Sequence, residues 1–284
     1  MKISKKKAFY AGLWVVAALI ILSGLAAAWL YTGKISAFKT SLFKKFPLPL
    51  ALVDWHPLFM GNFIDRQNLA TKLPGEATNP QNIFNQLIYE SETSQLASGL
   101  NMSPNQKQID QEYESVAKLV DLKGQKNFEA LLQSYNLSEN FYKSQILKPR
   151  LELRNLQIWF NSQRNLNAQA YATADSLQSQ IKNGGDMGQL AEQYTQDPTG
   201  KSTQGDLGFV QDTDLLPELR EPVDNMRAGD VNIVISRLGL NLIKLESKDG
   251  NRMHLRLIFL NTGDFGQWLK SRAQDFFVIK LLRV

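Results

Sequence analysis

The sequence predicts an α+β chain in three parts: an apolar amino-terminal segment, a helical middle and a carboxy-terminal sheet domain. Three observations carry that reading. Ala8 to Tyr31 contains no charged residue. Apolar residues recur at the spacing of one buried helix face from Asn79 to about Phe160. Three strand-like runs then close the chain, Val231 to Ser236, Leu240 to Glu246 and Met253 to Leu260, the last two joined across an Asp-Gly turn, the strongest short hairpin signal a sequence offers.

At about 1.5 Å per residue, Ala8 to Tyr31 is long enough to cross a hydrocarbon core of ~30 Å, and aromatic residues stand at both of its ends. Residues 1–7 are then a basic cytoplasmic tail, 8–31 a single transmembrane anchor in contact with lipid, and 32–47 a linker. The competing reading is a cleaved signal peptide, for which Ala26-Ala27-Ala28 offers a site, although the apolar run exceeds the usual length of such a core. Four lysines precede the segment and four follow it, so charge does not orient it.

Those lysines, at 2, 5, 6, 7, 34, 39, 44 and 45, precede the first acidic residue and exceed the formal net charge of +5. The body is therefore slightly acidic and carries no Arg-rich stripe, which argues against a nucleic-acid binder. With no cysteine there is no disulfide, thiol nucleophile or thiolate metal site, and no metal or cofactor is expected. Only His56 and His254 could supply imidazole.

Element by element, FPLPLALVDWHPLF (46–59) reads as an extended entry, because its prolines forbid helix and Leu50, Leu52 and Asp54 alternate with Ala51, Val53 and Trp55. Ile83, Leu87, Ile88 and Leu96 mark a first helix. Ser103 and Pro104 are placed to open a second, with Ile109, Tyr113, Val116 and Val120 on its inner face. Phe128 to Tyr135 makes a third, and Ser138 caps a long fourth that runs to Phe160. The polar NSQRNLNAQ (161–169) is expected as a domain boundary, with a continuous helix through it as the alternative. Beyond it, Leu177 and Ile181 precede a Gly184-Gly185 stop, Asp186 caps the next helix, and Thr213 or Asp214 caps one that Gly229 ends. An amphipathic stretch from Asp264 to Gln274 leads to FFVIKLLRV.

GGDMGQLAEQYTQDP, GDLGFV (205–210), DLLPEL, VDNMRAGDV and SRLGLNLIKLE follow one another in an order and spacing that resemble the parvulin family of peptidyl-prolyl isomerases. Gly205 and Gly208 suit a turn at positive φ around Asp206, whose carboxylate can bond its own backbone, and Gly229 ends a helix directly before a strand. Upstream, ALVDWHPL with NIFNQLIYESETSQLASGLNMS and NFEALLQSYNLSENFYKSQI resembles the helical amino-terminal chaperone domain of SurA. The resemblance implies a chaperone-like domain over 48–165, completed by 276–284 returning to pair with LALVDW, a parvulin-like domain over 170–262, and a final helix and strand over 264–284.

A parvulin domain is similar to a four-stranded antiparallel sheet whose first strand precedes its first helix and pairs beside its last. No such strand stands before Ala170, whereas MHLRLIFL follows the last strand through a hairpin. The domain is therefore expected to be circularly permuted, with an added edge strand as the alternative.

Parvulins resemble one another in a groove that favours the twisted amide of an X-Pro bond, whose rotation barrier is about 18–20 kcal/mol. Carried over position by position, the two groove histidines fall on Leu257 and Asn241, the acidic position on Asp197 as the tentative catalytic group, and the apolar positions on Leu215 and Leu219. Leu207 lines the floor or belongs to the core. His254, three residues from Leu257, points to the opposite face and is expected at the surface or rim, as His56 is expected in a loop. The resemblance implies a single-pass membrane protein with an extracytoplasmic body that binds unfolded or nascent secreted polypeptides, its isomerase weak or inactive. An active isomerase and a non-catalytic scaffold are the alternatives.

Overall fold

The computed structural model describes residues 29, 41–42, 45–72, 79–122 and 127–281. The expected anchor, apart from Trp29, lies outside them, and among the described residues no helix is long and apolar enough to cross a membrane. In chain order, β1 (Pro49–Val53) and β2 (His56–Phe59) precede α1 (Met60–Ala70), α2 (Pro80–Gly99), α3 (Gln106–Leu122), α4 (Phe128–Ser134) and α5 (Glu139–Tyr142). One π-helical turn, Lys143–Leu147, leads into α6 (Lys148–Ser162). This wide turn lies just before Pro149, which lacks the N–H that an unbroken helix requires. Then come α7 (Ala168–Lys182), α8 (Met187–Tyr194), α9 (Pro198–Ser202), β3 (Asp206–Gln211), α10 (Pro217–Asp224), β4 (Val231–Ile235), β5 (Leu240–Asp249), β6 (Arg252–Leu260), α11 (Phe265–Ala273) and β7 (Val278–Lys280).

The chain divides into two compact units, the described parts of Met1–Glu92 with Asp275–Val284, and Thr93–Gln274. In the first, a three-stranded antiparallel sheet of order β2-β1-β7 is built around β1. Its inner face packs Leu50 and Ala51 against Met60, Phe63 and Ile64 of α1 and Ile83, Phe84 and Leu87 of α2. No helix is expected from the sequence over 60–70, although Met60, Phe63 and Ile64 already stand at i, i+3 and i+4.

In the second unit, a four-stranded antiparallel sheet has the order β3-β6-β5-β4. The hairpin strand β6 is central: Ile243 faces Leu257 on the β5 side, and Val210 faces Met253 on the β3 side. One face of the sheet carries Leu240, Leu242, Ile258 and Leu260 against Tyr171, Ala174 and Leu177 of α7 and Met187 and Ala191 of α8. The other carries Val234, Ile243, Leu245, Met253 and Leu255 against Leu215 and α10, through Leu219 and Val223. Successive residues of a strand point to opposite faces, so two apolar clusters follow from the near-continuous apolar pattern of β5.

Several helix starts differ from the sequence-based expectation. Gln106, not Ser103 or Pro104, opens α3, because Asn105 and Gln108 exchange side-chain and backbone hydrogen bonds of 2.9 Å each, a capping box. Neither Thr213 nor Asp214 caps α10. Asp212–Asp214 forms a 3₁₀ turn, the Asp214 carboxylate accepts from the Gln211 amide at 2.8 Å, and α10 starts at Pro217, which needs no acceptor for an N–H. Ser138, Asp186 and Asp264 do cap helices, each accepting from the amide three residues on. NSQRNLNAQ is the break between α6 and α7, while the division into compact units falls upstream, within α2. Buried Asn161 and Asn167 account for this. Asn161 donates to Ser236 O (2.8 Å) and accepts from Tyr171 and Thr262, while Asn167 donates to Phe160 O (2.6 Å) and accepts from Gly263 N (2.8 Å). Trp159 and Phe160 also meet Phe265 and Trp268 of α11.

Candidate functional site

The face covered by α10 gathers four of the expected groove residues. Leu215 and Leu219 are buried there, and Leu257 is half-buried against the same cluster. Asn241 is the cross-strand partner of Val234, which belongs to that cluster, so both side chains point to this face. Leu257 stands opposite Ile243, one step further along the same face of β5.

Asn241 is only 4 % exposed, and the NH2 group of its side-chain amide is engaged. Nδ2 donates towards Val234 O at 3.1 Å, Ser236 Oγ at 3.0 Å and Gly239 O at 3.3 Å. The side chain thereby ties the tight connection between β4 and β5, where Gly239 has φ of 154°. Its position on the groove face came from the resemblance, but its structural task depends on the tertiary approach of three acceptors.

Asp197 is placed as the N-cap of α9, its two oxygens accepting from Thr199 N at 3.2 Å and Gly200 N at 3.0 Å. Beside it, Gln196 N donates to Phe259 O (2.8 Å) and Phe259 N donates to Thr195 Oγ1 (3.0 Å). Leu257 N donates to Gly205 O (2.8 Å). These groups serve β6 where its pairing with β3 has ended, at Asp206–Arg256. Thr195 and Gln196 carry no sequence signal for this role.

Leu207 is 41 % exposed on edge strand β3 and belongs to neither apolar cluster, which corrects its reading as a core residue. The register shift between Asp206 and Gly208 turns this stretch of strand outward. Gly205, Gly208 and Gly229 take φ of 74°, 63° and 92°, as turns at those points require. At Gly205 even a Cβ is excluded, because it would stand 2.5 Å from Leu257 O and 2.9 Å from Ala191 Cβ.

His254 lies on the other face of β6 from Leu257 and is half-buried. Its Nε2 is 2.8 Å from Asp206 Oδ1 and its ring lies 5.1 Å from Phe209. Asp206 also accepts from Gly208 N at 2.8 Å and from Arg256 at 3.2 Å. The Gly208 amide, with His254 and Arg256 behind it, holds the Asp206 carboxyl below the usual carboxylate range. His56 stands at the exposed start of β2, with Nδ1 2.9 Å from Asp54 O. Among the described residues, no group of three or more His, Asp or Glu is arranged to hold a metal ion.

The α10 face thus offers leucines and a committed amide, with no imidazole to exchange a proton. Leu215 and Leu219 are spent on packing α10 against the sheet, so that of the expected groove leucines on this face only half-buried Leu257 keeps exposed area, and isomerisation of a prolyl bond itself transfers no proton.

Residues 135–249 match the sequence profile of the PPIC-type PPIASE domain. The match ends before Arg252, so β6 lies beyond it. The foldase protein PrsA of Halalkalibacterium halodurans is 25% identical over 205 residues, 63% of this chain and 59% of that protein. The chaperone SurA of Pseudomonas putida is 41% identical over 58 residues, 20% of this chain and 14% of that protein. The crystal structure of the peptidylprolyl isomerase PrsA from Bacillus anthracis aligns at 16% identity over 68% of this chain and 86% of that one, with a TM-score of 0.24. The chain therefore spans less than two thirds of the length of these two curated relatives. The ordered motifs from Gly184 to Leu245, the four-stranded antiparallel sheet that holds them and the match over 135–249 lead to one conclusion: the chain carries a PPIC-type parvulin domain and is homologous to the PrsA and SurA foldases.

Proposed function

We propose that this chain is a membrane-anchored, extracytoplasmic protein-folding factor that binds unfolded polypeptides and whose parvulin domain is weak or inactive as an isomerase. The observation that carries this reading is Asn241. It stands where the resemblance puts a groove histidine, yet it is buried with its amide spent on three acceptors of its own hairpin. Leu257, at the other histidine position, adds apolar surface without a titratable group. Relatives named as foldase and chaperone support client binding, and the uncharged run Ala8 to Tyr31 supports the anchor.

The same reading includes a circular permutation of the sheet. Central β6 follows β5 through a hairpin, and the family match stops before β6 begins. Moving a strand to the other end of the chain keeps its neighbours when those ends are adjacent in the sheet.

The test compares the full chain in nanodiscs in two assays, cis-trans isomerisation of a proline peptide and suppression of aggregation of a chemically unfolded protein. The expected result is suppressed aggregation with isomerisation within about twofold of the uncatalysed rate, less than ~0.5 kcal/mol of preferential binding to the twisted amide. A large acceleration over the uncatalysed rate would establish the active-isomerase reading instead. Neither activity would leave the scaffold.

A further inference from the structure

The sheet of the first unit has one face covered by helices and one that is apolar and open. Paired residues of an antiparallel ladder share a face, so the partners Pro57, Leu52 and Ile279 form a row across β2, β1 and β7 on the side away from Ala51 and Val53. Alternation along the chain adds Phe277 and Leu281 to that side. Trp55, in the β1–β2 turn, meets Phe277 edge to face at 5.1 Å. Ile279 is 40 % exposed and Trp55 72 %, and Phe277 and Leu281 are exposed as well. Burial of Leu50, Ala51 and Val53 makes the contrast with the inner face complete.

Two features of the sequence next to this face identify what covers it. Lys34, Lys39, Lys44 and Lys45 lie between the apolar run ending at Tyr31 and β1, and Asp54 is the sole acidic residue before Asp65. The 16 residues of 32–47, at no more than about 3.6 Å each, keep the sheet within reach of wherever that apolar run is seated. An exposed tryptophan with neighbouring aliphatic and aromatic side chains, preceded in the sequence by four lysines, matches the headgroup and upper acyl region of an anionic bilayer. An unfolded polypeptide would match the apolar surface but would have no need of the four lysines that precede it in the sequence.

We infer that the outer face of the β2-β1-β7 sheet is a membrane-docking surface that lies against anionic phospholipid. This rests on the anchored reading above, and holds the first unit on the bilayer instead of letting it swing on the linker.

The absence of native cysteine permits a direct test on the full chain. Nitroxide is attached to a single cysteine at Ile279→Cys, at Trp55→Cys as a second site on the face, or at the exposed Asn82→Cys, on the helix that covers the opposite side of the sheet. Each labelled protein is reconstituted in vesicles of phosphatidylcholine and phosphatidylglycerol (3:1) or of phosphatidylcholine alone. On the anionic vesicles, labels at 279 and 55 are expected to be at least threefold less accessible to a water-soluble nickel chelate than the label at 82, and more accessible to oxygen. On neutral vesicles this protection falls at least twofold. Labels at 279 and 55 as open to the chelate as the label at 82 overturn the docking face, as does protection that requires an added unfolded polypeptide. Extraction with alkaline carbonate reads the anchor separately. Retention with an unprotected face defeats the docking alone, and extraction with a protected face defeats the anchor alone.

Discussion

Asn241→Leu separates a groove residue from a structural one. Leucine has the branched skeleton of asparagine with two methyl groups in place of the amide, so the exchange opens no cavity; it removes the hydrogen bonds and adds volume at a buried position. The Nδ2 group has two protons for three acceptors, at 3.0, 3.1 and 3.3 Å. Ser236 Oγ keeps its bond from Leu238 N at 3.2 Å, so the principal loss falls on Val234 O and Gly239 O. Leaving a buried acceptor unsatisfied costs about 1–3 kcal/mol, and Gly239 O retains the Ser236 amide as a donor at 2.9 Å. Together these give a loss of about 2–4 kcal/mol, or roughly 4–16 °C in Tm at the 2–4 °C per kcal/mol typical of a unit of this size. Urea unfolding followed by the fluorescence of Trp159 and Trp268 reads it. Asn241→Asp, the same shape without a donor, directs a carboxylate at three oxygens and is expected to be the more damaging variant at neutral pH. Stability of Asn241→Leu within about 0.5 kcal/mol of the parent would refute the reasoning, since that is the range of substitutions at exposed positions without special roles.

Gly205→Ala is expected to lose about 2–4 kcal/mol in the same assay, from a non-glycine residue at φ of 74° and a Cβ driven against Leu257 O; wild-type stability would mean that α8 and β6 separate freely. Asp197→Ala is expected to cost about 1 kcal/mol by removing the cap of α9, and Asp197→Ser to recover most of it; failure of serine to rescue would point to a role for the carboxylate beyond capping. The depressed folded-state pKa of Asp206 means that its contribution is present above the usual carboxylate pKa and is lost as the pH falls through the folded value. Asp206→Asn is therefore expected to flatten the decline of stability as the pH falls below the usual carboxylate range, as read by thermal unfolding; an unchanged slope would count against the bonds to Gly208, His254 and Arg256.

What sequence reading reached and what it missed follow from the range of the forces involved. Caps at Ser138, Asp186 and Asp264 are local bonds to the amide three residues away, and they were visible as residue types at the right offset. The same logic points to Ser103 for the start of α3, whereas Asn105 and Gln108 form a reciprocal box that opens the helix at Gln106. Strand β3 had no clear residue signal. Gly208 interrupts it just after Gly205 has turned the chain, and its large side chains at 207 and 209 face outward, so alternation shows no inner face. Gly205 was recognisable as a turn glycine, while the crowding that excludes any side chain there comes from Leu257, fifty-two residues on.

The sequence by itself determined the α+β class, the hairpin of β5 and β6, the absence of thiol chemistry and the leucine and asparagine at positions 257 and 241, because periodicity, turn chemistry and residue identity are properties of short stretches. Only the tertiary structure decided that β6 occupies the middle of the sheet, that Asn241 is locked to its own turn, that Asp197 caps a helix, and that Asn161 and Asn167 join α6 to the sheet. Each of these depends on which distant acceptor or strand edge comes within about 3 Å of a group, and the one-dimensional pattern does not encode that distance.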